Sequence, residues 1–125
     1  ISVKLLVPGI SDSILVNYAA RSYYVDLLKA GVDIYQYTKG FVHAKTLVAD
    51  SKVAIVGTAN MDFRSFDLNF EVSAIVYDAG TAQELSALFF EDLKDAERIA
   101  AKAWNDRPSL IQLIEKTARL VSPLL

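Results

Sequence analysis

Apolar residues recur along the chain in two rhythms, alternation and helical spacing, and the switches between them mark out its elements. Residues 3–7 form a short, nearly unbroken apolar run stopped by Pro8-Gly9, which predicts a buried strand. Ser11, Asp12 and Ser13 are N-cap candidates for a helix over about 14–30. Leu15, Tyr18, Ala19, Val25 and Leu28 keep approximate helical spacing within it, and Gly31 is its natural stop. Residues 32–37, VDIYQY, alternate as a strand and complete a β-α-β unit expected to be parallel and right-handed.

Residues 42–48 read as a further strand, which would turn His43, Lys45 and Leu47 to one face. Asp50-Ser51-Lys52 predicts a turn, residues 53–56 a buried strand, and Gly57-Thr58-Ala59-Asn60 its end. EVSAIVY, residues 71–77, predicts one more strand. Asp78-Ala79-Gly80 breaks the pattern, and Thr81-x-x-Glu84 predicts a capping box before a long helix. That helix would bury Leu85, Leu88, Phe89, Leu93 and Ala96, and a second amphipathic helix is expected from near Pro108 to Leu120. The sum is an α/β fold, a mixed β-sheet flanked by helices, in one domain over 1–125. Residues 104–125 read as a C-terminal amphipathic tail. Leu110, Ile111, Leu113 and Ile114 beside Trp104 and Arg107 suit either a membrane interface or packing on the domain itself.

Composition narrows the chemistry. The chain has 53% hydrophobic residues, enough for a real core, and a net charge of −2, which gives no electrostatic reason to expect nucleic acid. Without cysteine there is neither a disulfide framework nor a thiolate ligand, and one histidine is a poor start for a zinc site. Apolar runs fall well short of the ~20 residues that a spanning helix needs. The chain opens directly on strand-like residues with no methionine, as a piece of a longer protein would.

The predicted hairpin brings an imidazole, an ammonium, a hydroxyl and a carboxamide toward one spot: His43, Lys45, Thr58 and Asn60. All four suit a phosphate, since one can attack phosphorus and the others can donate to its oxygens. A lone histidine in a strand is more commonly a hydrogen-bonded structural residue; it is the company of the other three that changes the reading. Asp50, five steps along the strand from Lys45, falls at the turn and is read as turn-stabilising.

Taken in full, the spacing is His43-x-Lys45, four residues, Asp50, six residues, then Gly57-Thr58-x-Asn60. It resembles the His-Lys-Asp motif of the phospholipase D superfamily. The continuation Asn60-Met61-Asp62-x-Arg64-Ser65-Phe66 and then Asn69-Phe70-Glu71 is similar to the phospholipid-acting branch, nearest the C-terminal catalytic half of bacterial cardiolipin synthases. Ser122-Pro123-Leu124-Leu125 resembles their ending. The resemblance implies that His43 attacks phosphorus through Nε2 to form a phosphohistidine, and that Lys45, Thr58 and Asn60 bind phosphate oxygens. Gly57 would allow close backbone approach, and Glu71 would accept a hydrogen bond from the other ring nitrogen. Asp62, Arg64 and Ser65 would brace the loop through an Asp–Arg pair.

The function so implied is a phosphatidyltransferase moving a phosphatidyl group between phosphatidylglycerol molecules, with no metal or other cofactor. The superfamily faces two such motifs across a pseudo-twofold axis, so the second lobe would lie in the same chain or in a homodimer. The bacterial cell membrane would be the enzyme's place and its surface a partner, while the fragment alone would be soluble and inactive. Alternatives in the same chemistry are a phospholipase D-like hydrolase, or a nuclease built as a dimer of one motif, which the acidic balance disfavours. A third is a non-catalytic lobe that only shapes a partner's site.

Overall fold

The computed structural model describes residues 1–11 and 13–120, and for Phe63 and Arg64 the backbone alone. Asp12 and the terminal Ser122-Pro123-Leu124-Leu125 lie outside the described residues. The chain divides into two compact units, one made of residues 1–42 with the segment from Ala96 onward, the other of His43–Asp95. The α/β class holds, but the strands divide between two three-stranded sheets.

The first unit begins with the expected parallel β-α-β pattern. β1 (Val3–Pro8) and β2 (Val32–Tyr37) pair in parallel from Val3 opposite Val32 to Pro8 opposite Tyr37. The crossover is two helices, α1 (Ile14–Ser22) and α2 (Tyr24–Lys29), rather than one. Ser22 explains the break. Its hydroxyl donates to the Ala19 carbonyl at 2.6 Å, the acceptor that the Tyr23 N–H would need to continue the helix. The Tyr23 N–H turns to the Ala20 carbonyl instead. Gly31 ends α2 at φ +87°, a conformation that a side chain would resist.

A strand that periodicity does not announce completes this mixed sheet. β6 (Ala96–Arg98) pairs antiparallel with β2, so Ala96 belongs to a strand and not to the helix stripe expected for it. α5 (Ala101–Asn105) and α6 (Ser109–Leu120) follow. Trp104, read from sequence as the start of a tail, is buried with Tyr24 and Ile34 at the centre of the core. Burial pushes the Tyr24 hydroxyl up to about 12. The Arg107 guanidinium stacks 3.5 Å from the Trp104 ring centre and makes two hydrogen bonds to Glu115 of α6, at 2.7 and 2.9 Å. Arg21 of α1 reaches the same carboxylate at 3.1 Å. Two cations and one buried carboxylate thus tie α1, α5 and α6 together.

The second unit is an antiparallel sheet, β3 (Thr46–Ala49), β4 (Val53–Gly57) and β5 (Ser73–Val76), with the short helix α3 (Phe63–Asp67) and the longer α4 (Ala79–Asp92). Asp50, Ser51 and Lys52 form the three-residue loop of the β3–β4 hairpin, between the paired Ala49 and Val53, with Asp50 and Ser51 in the left-handed region at φ 50° and 51°. α4 packs on β3 and β4, with Ala82 and Ala54 wholly buried. Its cap is Asp78, whose carboxylate accepts from the Thr81 N–H and hydroxyl at 2.7 and 2.8 Å, so the expected Thr81–Glu84 box is displaced. Leu88 is exposed; Leu85, Phe89 and Leu93 are half-buried as the stripe requires.

Candidate active site

All the residues singled out for phosphate chemistry lie in the second unit. β3 starts at Thr46, so His43 and Lys45 precede the strand in which they were expected. The cause is β4, which ends at Gly57, opposite Lys45, and offers residues 41–44 no ladder partner. One bond carries the pairing beyond the strand: the Gly57 N–H donates to the Lys45 carbonyl at 3.0 Å. It fastens the segment that bears His43 to the segment that bears Thr58 and Asn60. Lys45 is half-buried, and its ammonium folds back to the His43 carbonyl at 3.0 Å. The His43 side chain is exposed.

Gly57 is sterically dictated. A Cβ there would meet Ser73 Oγ at 2.3 Å and the Val72 carbonyl oxygen at 2.9 Å. Ser73 stands directly opposite in the β4–β5 register, a partner that the linear motif does not reveal. The approach that glycine permits is therefore one made by the protein's own backbone and Ser73.

Thr58 joins the end of β4 to the start of β5. Its N–H donates to the Val72 carbonyl at 3.0 Å, and its hydroxyl accepts from the Val72 N–H at 3.0 Å while donating to the Glu71 carboxylate. Asn69 reaches the other oxygen of Glu71 at 3.4 Å. Hydrogen bonding from Thr58 first, then from Asn69 and Ser65, holds the Glu71 carboxyl below its ordinary range, against partial desolvation and, least, the Asp62 charge. Glu71, expected beside the imidazole, thus spends its hydrogen bonds on Thr58 and Asn69 in this conformation.

The loop after Asn60 is braced by Asp62 and Ser65. Asp62 Oδ1 accepts from the Ser65 N–H at 2.7 Å, and the buried Ser65 hydroxyl accepts from the Asn60 N–H at 3.1 Å. The Arg64 side chain, expected to pair with Asp62, is outside the described atoms. Asp50, at the hairpin turn, lies at the other end of β3 from Lys45. Among the described residues no three His, Cys, Asp or Glu side chains gather as a metal site would require.

Residues 1–93 match the family described as "Cardiolipin synthase, PLD-like domain". The chain belongs to that family. Over all 125 residues it is 48% identical to a cardiolipin synthase of Geobacillus sp. strain WCH70, covering 100% of this chain and 25% of that protein. It is 45% identical to cardiolipin synthase 1 of Bacillus anthracis, with the same coverage of both chains. The chain therefore spans about a quarter of the length of the curated relatives it matches. Its fold is similar to that of a phosphatidylserine synthase from Haemophilus influenzae Rd KW20, with a TM-score of 0.64 and 12% identity over 99% of this chain and 36% of that one. The family match ends at residue 93, ahead of the Trp104 that fills the core of the first unit.

Proposed function

We propose that this PLD-like domain is one catalytic lobe, the C-terminal one, of a phosphatidyltransferase of cardiolipin synthase type. His43 Nε2 attacks the phosphorus of phosphatidylglycerol, the P–O bond to the departing glycerol breaks, and a phosphatidyl–histidine forms. A hydroxyl of a second phosphatidylglycerol then attacks that phosphorus, and the histidine leaves. Lys45, Thr58 and Asn60 hold the phosphoryl oxygens as charge builds on them. Glu71 fixes the His43 tautomer and supports the imidazolium; the Asp50 turn keeps the hairpin in register. No metal takes part in these steps.

The observation that carries the reading is the Gly57–Lys45 backbone bond, which joins the two halves of the motif at one end of the β3–β4 hairpin. Thr58 and Glu71 meet at that same end. A phosphate that takes the Thr58 hydroxyl releases the Glu71 carboxylate, so substrate arrival itself frees the acid for the imidazole.

The departing glycerol alkoxide is too basic to leave unprotonated, and this chain has one histidine. A second PLD-like lobe, in the same chain or in a homodimer, supplies the proton and later accepts one from the incoming alcohol. The enzyme works at the bacterial cell membrane, where its substrate lies. The test is single-turnover labelling of the two-lobed enzyme with phosphatidylglycerol radiolabelled at phosphorus. Acid-labile label on His43, lost in His43→Ala, is the expected result. Full turnover by His43→Ala, or product from a monodisperse monomer of these 125 residues, would sink the reading.

A further inference from the structure

Helix α6 is packed the wrong way round for a core helix. The residues it buries are Glu115 and Ala118, while Leu110, Leu113 and Ile114 face outward. α6 lies against α1, and the outward residues continue onto that helix: Leu15, Leu113, Ile114, Thr117 and Ala118 line one open groove. Ile14 of α1 is also exposed. An apolar stripe this continuous on a solvent face marks a docking surface.

Charge says what docks there. The chain as a whole is acidic, at −2, yet α1 and α6 present no acidic side chain to solvent. Their one acid, Glu115, is buried and bound by Arg21 and Arg107. Their exposed charges are Lys116, which adjoins Leu110 and Leu113, and Arg119, which pairs with Asp26 of α2. Lys116 beside the apolar residues, with Glu115 withdrawn and the exposed Asp26 neutralised by Arg119, matches a negatively charged bilayer surface.

We propose that the α1–α6 face docks on an anionic phospholipid surface, with Leu15, Leu110, Leu113 and Ile114 entering the hydrocarbon edge and Lys116 meeting the headgroup phosphates. α6 would lie in the plane of the interface; among the described residues no helix is long and apolar enough to cross it. The choice of lipid as partner rests on the phospholipid reading above, whereas the face itself is remote from the residues of that chemistry in sequence.

The test is flotation of the 125-residue chain with vesicles of equal phosphatidylglycerol and phosphatidylcholine, against phosphatidylcholine alone. The wild type should float with the anionic vesicles, and Leu113→Ser/Ile114→Ser should lose at least about tenfold in partition. Lys116→Gln should lose roughly fivefold, and it carries the test if the double variant fails to fold. His43→Ala should float as the wild type does, which separates docking from the transfer chemistry. No flotation of the wild type, or equal flotation of Lys116→Gln and wild type, would overturn the proposal. So would a wild-type dimer that the double variant dissolves, since the face would then belong to a second copy.

Discussion

Two glutamates show how differently the two units use the same carboxylate. Glu115 is buried and clamped by two guanidiniums, one of which also stacks on a buried tryptophan. Glu71 is exposed and held by neutral donors, a threonine hydroxyl and an asparagine amide. The first cannot move without leaving two half-buried cations unpaired. The second can exchange partners at little cost, because water or a substrate can replace what it gives up. Fixed charge serves the fold of one unit; in the mechanism proposed above, exchangeable charge serves the chemistry of the other.

Substitutions at four residues, and then two titrations, break or sharpen that contrast. In the two-lobed enzyme, His43→Ala should lower kcat by roughly 10⁴-fold or more with an unchanged melting temperature. Glu71→Gln should cost about 10²-fold, again without unfolding, as seen by thermal melts beside steady-state rates. Glu115→Ala reverses the pattern. It should destabilise the chain by about 3–5 kcal/mol, measured by urea unfolding, because it leaves Arg21 and Arg107 unpaired. Asp50 separates turn from site: Asp50→Ala should lose about 1 kcal/mol at its positive φ, while Asp50→Gly should be as stable as the wild type. An Asp50→Gly enzyme that is stable but dead would place the aspartate in the chemistry.

The smallest effects are titrations. Thr58→Val removes the strongest donor to Glu71, so its carboxyl should rise back toward the ordinary value, followed by carboxyl NMR. Tyr24 provides the buried counterpart. Its raised value means the unfolded chain loses this proton more readily, so stability is intact below about 10 and falls as pH climbs through about 12. Absorbance at alkaline pH should show one tyrosine ionising with unfolding, and Tyr24→Phe should remove that step.

What the sequence makes legible is what local pattern controls. β1, β2 and β4, Gly31 and α6 follow from runs, alternation and caps. The failures come from partners distant in sequence or from side chains competing with backbone. Ser22 breaks a helix that periodicity runs through, Asp78 takes the cap assigned to Thr81, and β6 exists only because β2 is there to pair with it. In the site, the motif names Gly57, Thr58 and Glu71 but not the register that sets Ser73 against Gly57 and Thr58 against Glu71. Trp104 looks amphipathic in a linear reading because the ring that buries it, Tyr24, lies 80 positions earlier.

The division of the chain also sets an order of assembly. Residues 43–95 are continuous, and the β3–β4 hairpin closes over a three-residue loop, so its contacts form locally and early. The other unit is split around them. Its first strands and helices must wait for β6, α5 and α6 to leave the ribosome before Ile34 and Tyr24 receive their tryptophan. The half-built sheet is thus the species most exposed to aggregation during synthesis, and the segment beyond the family match is what ends that exposure.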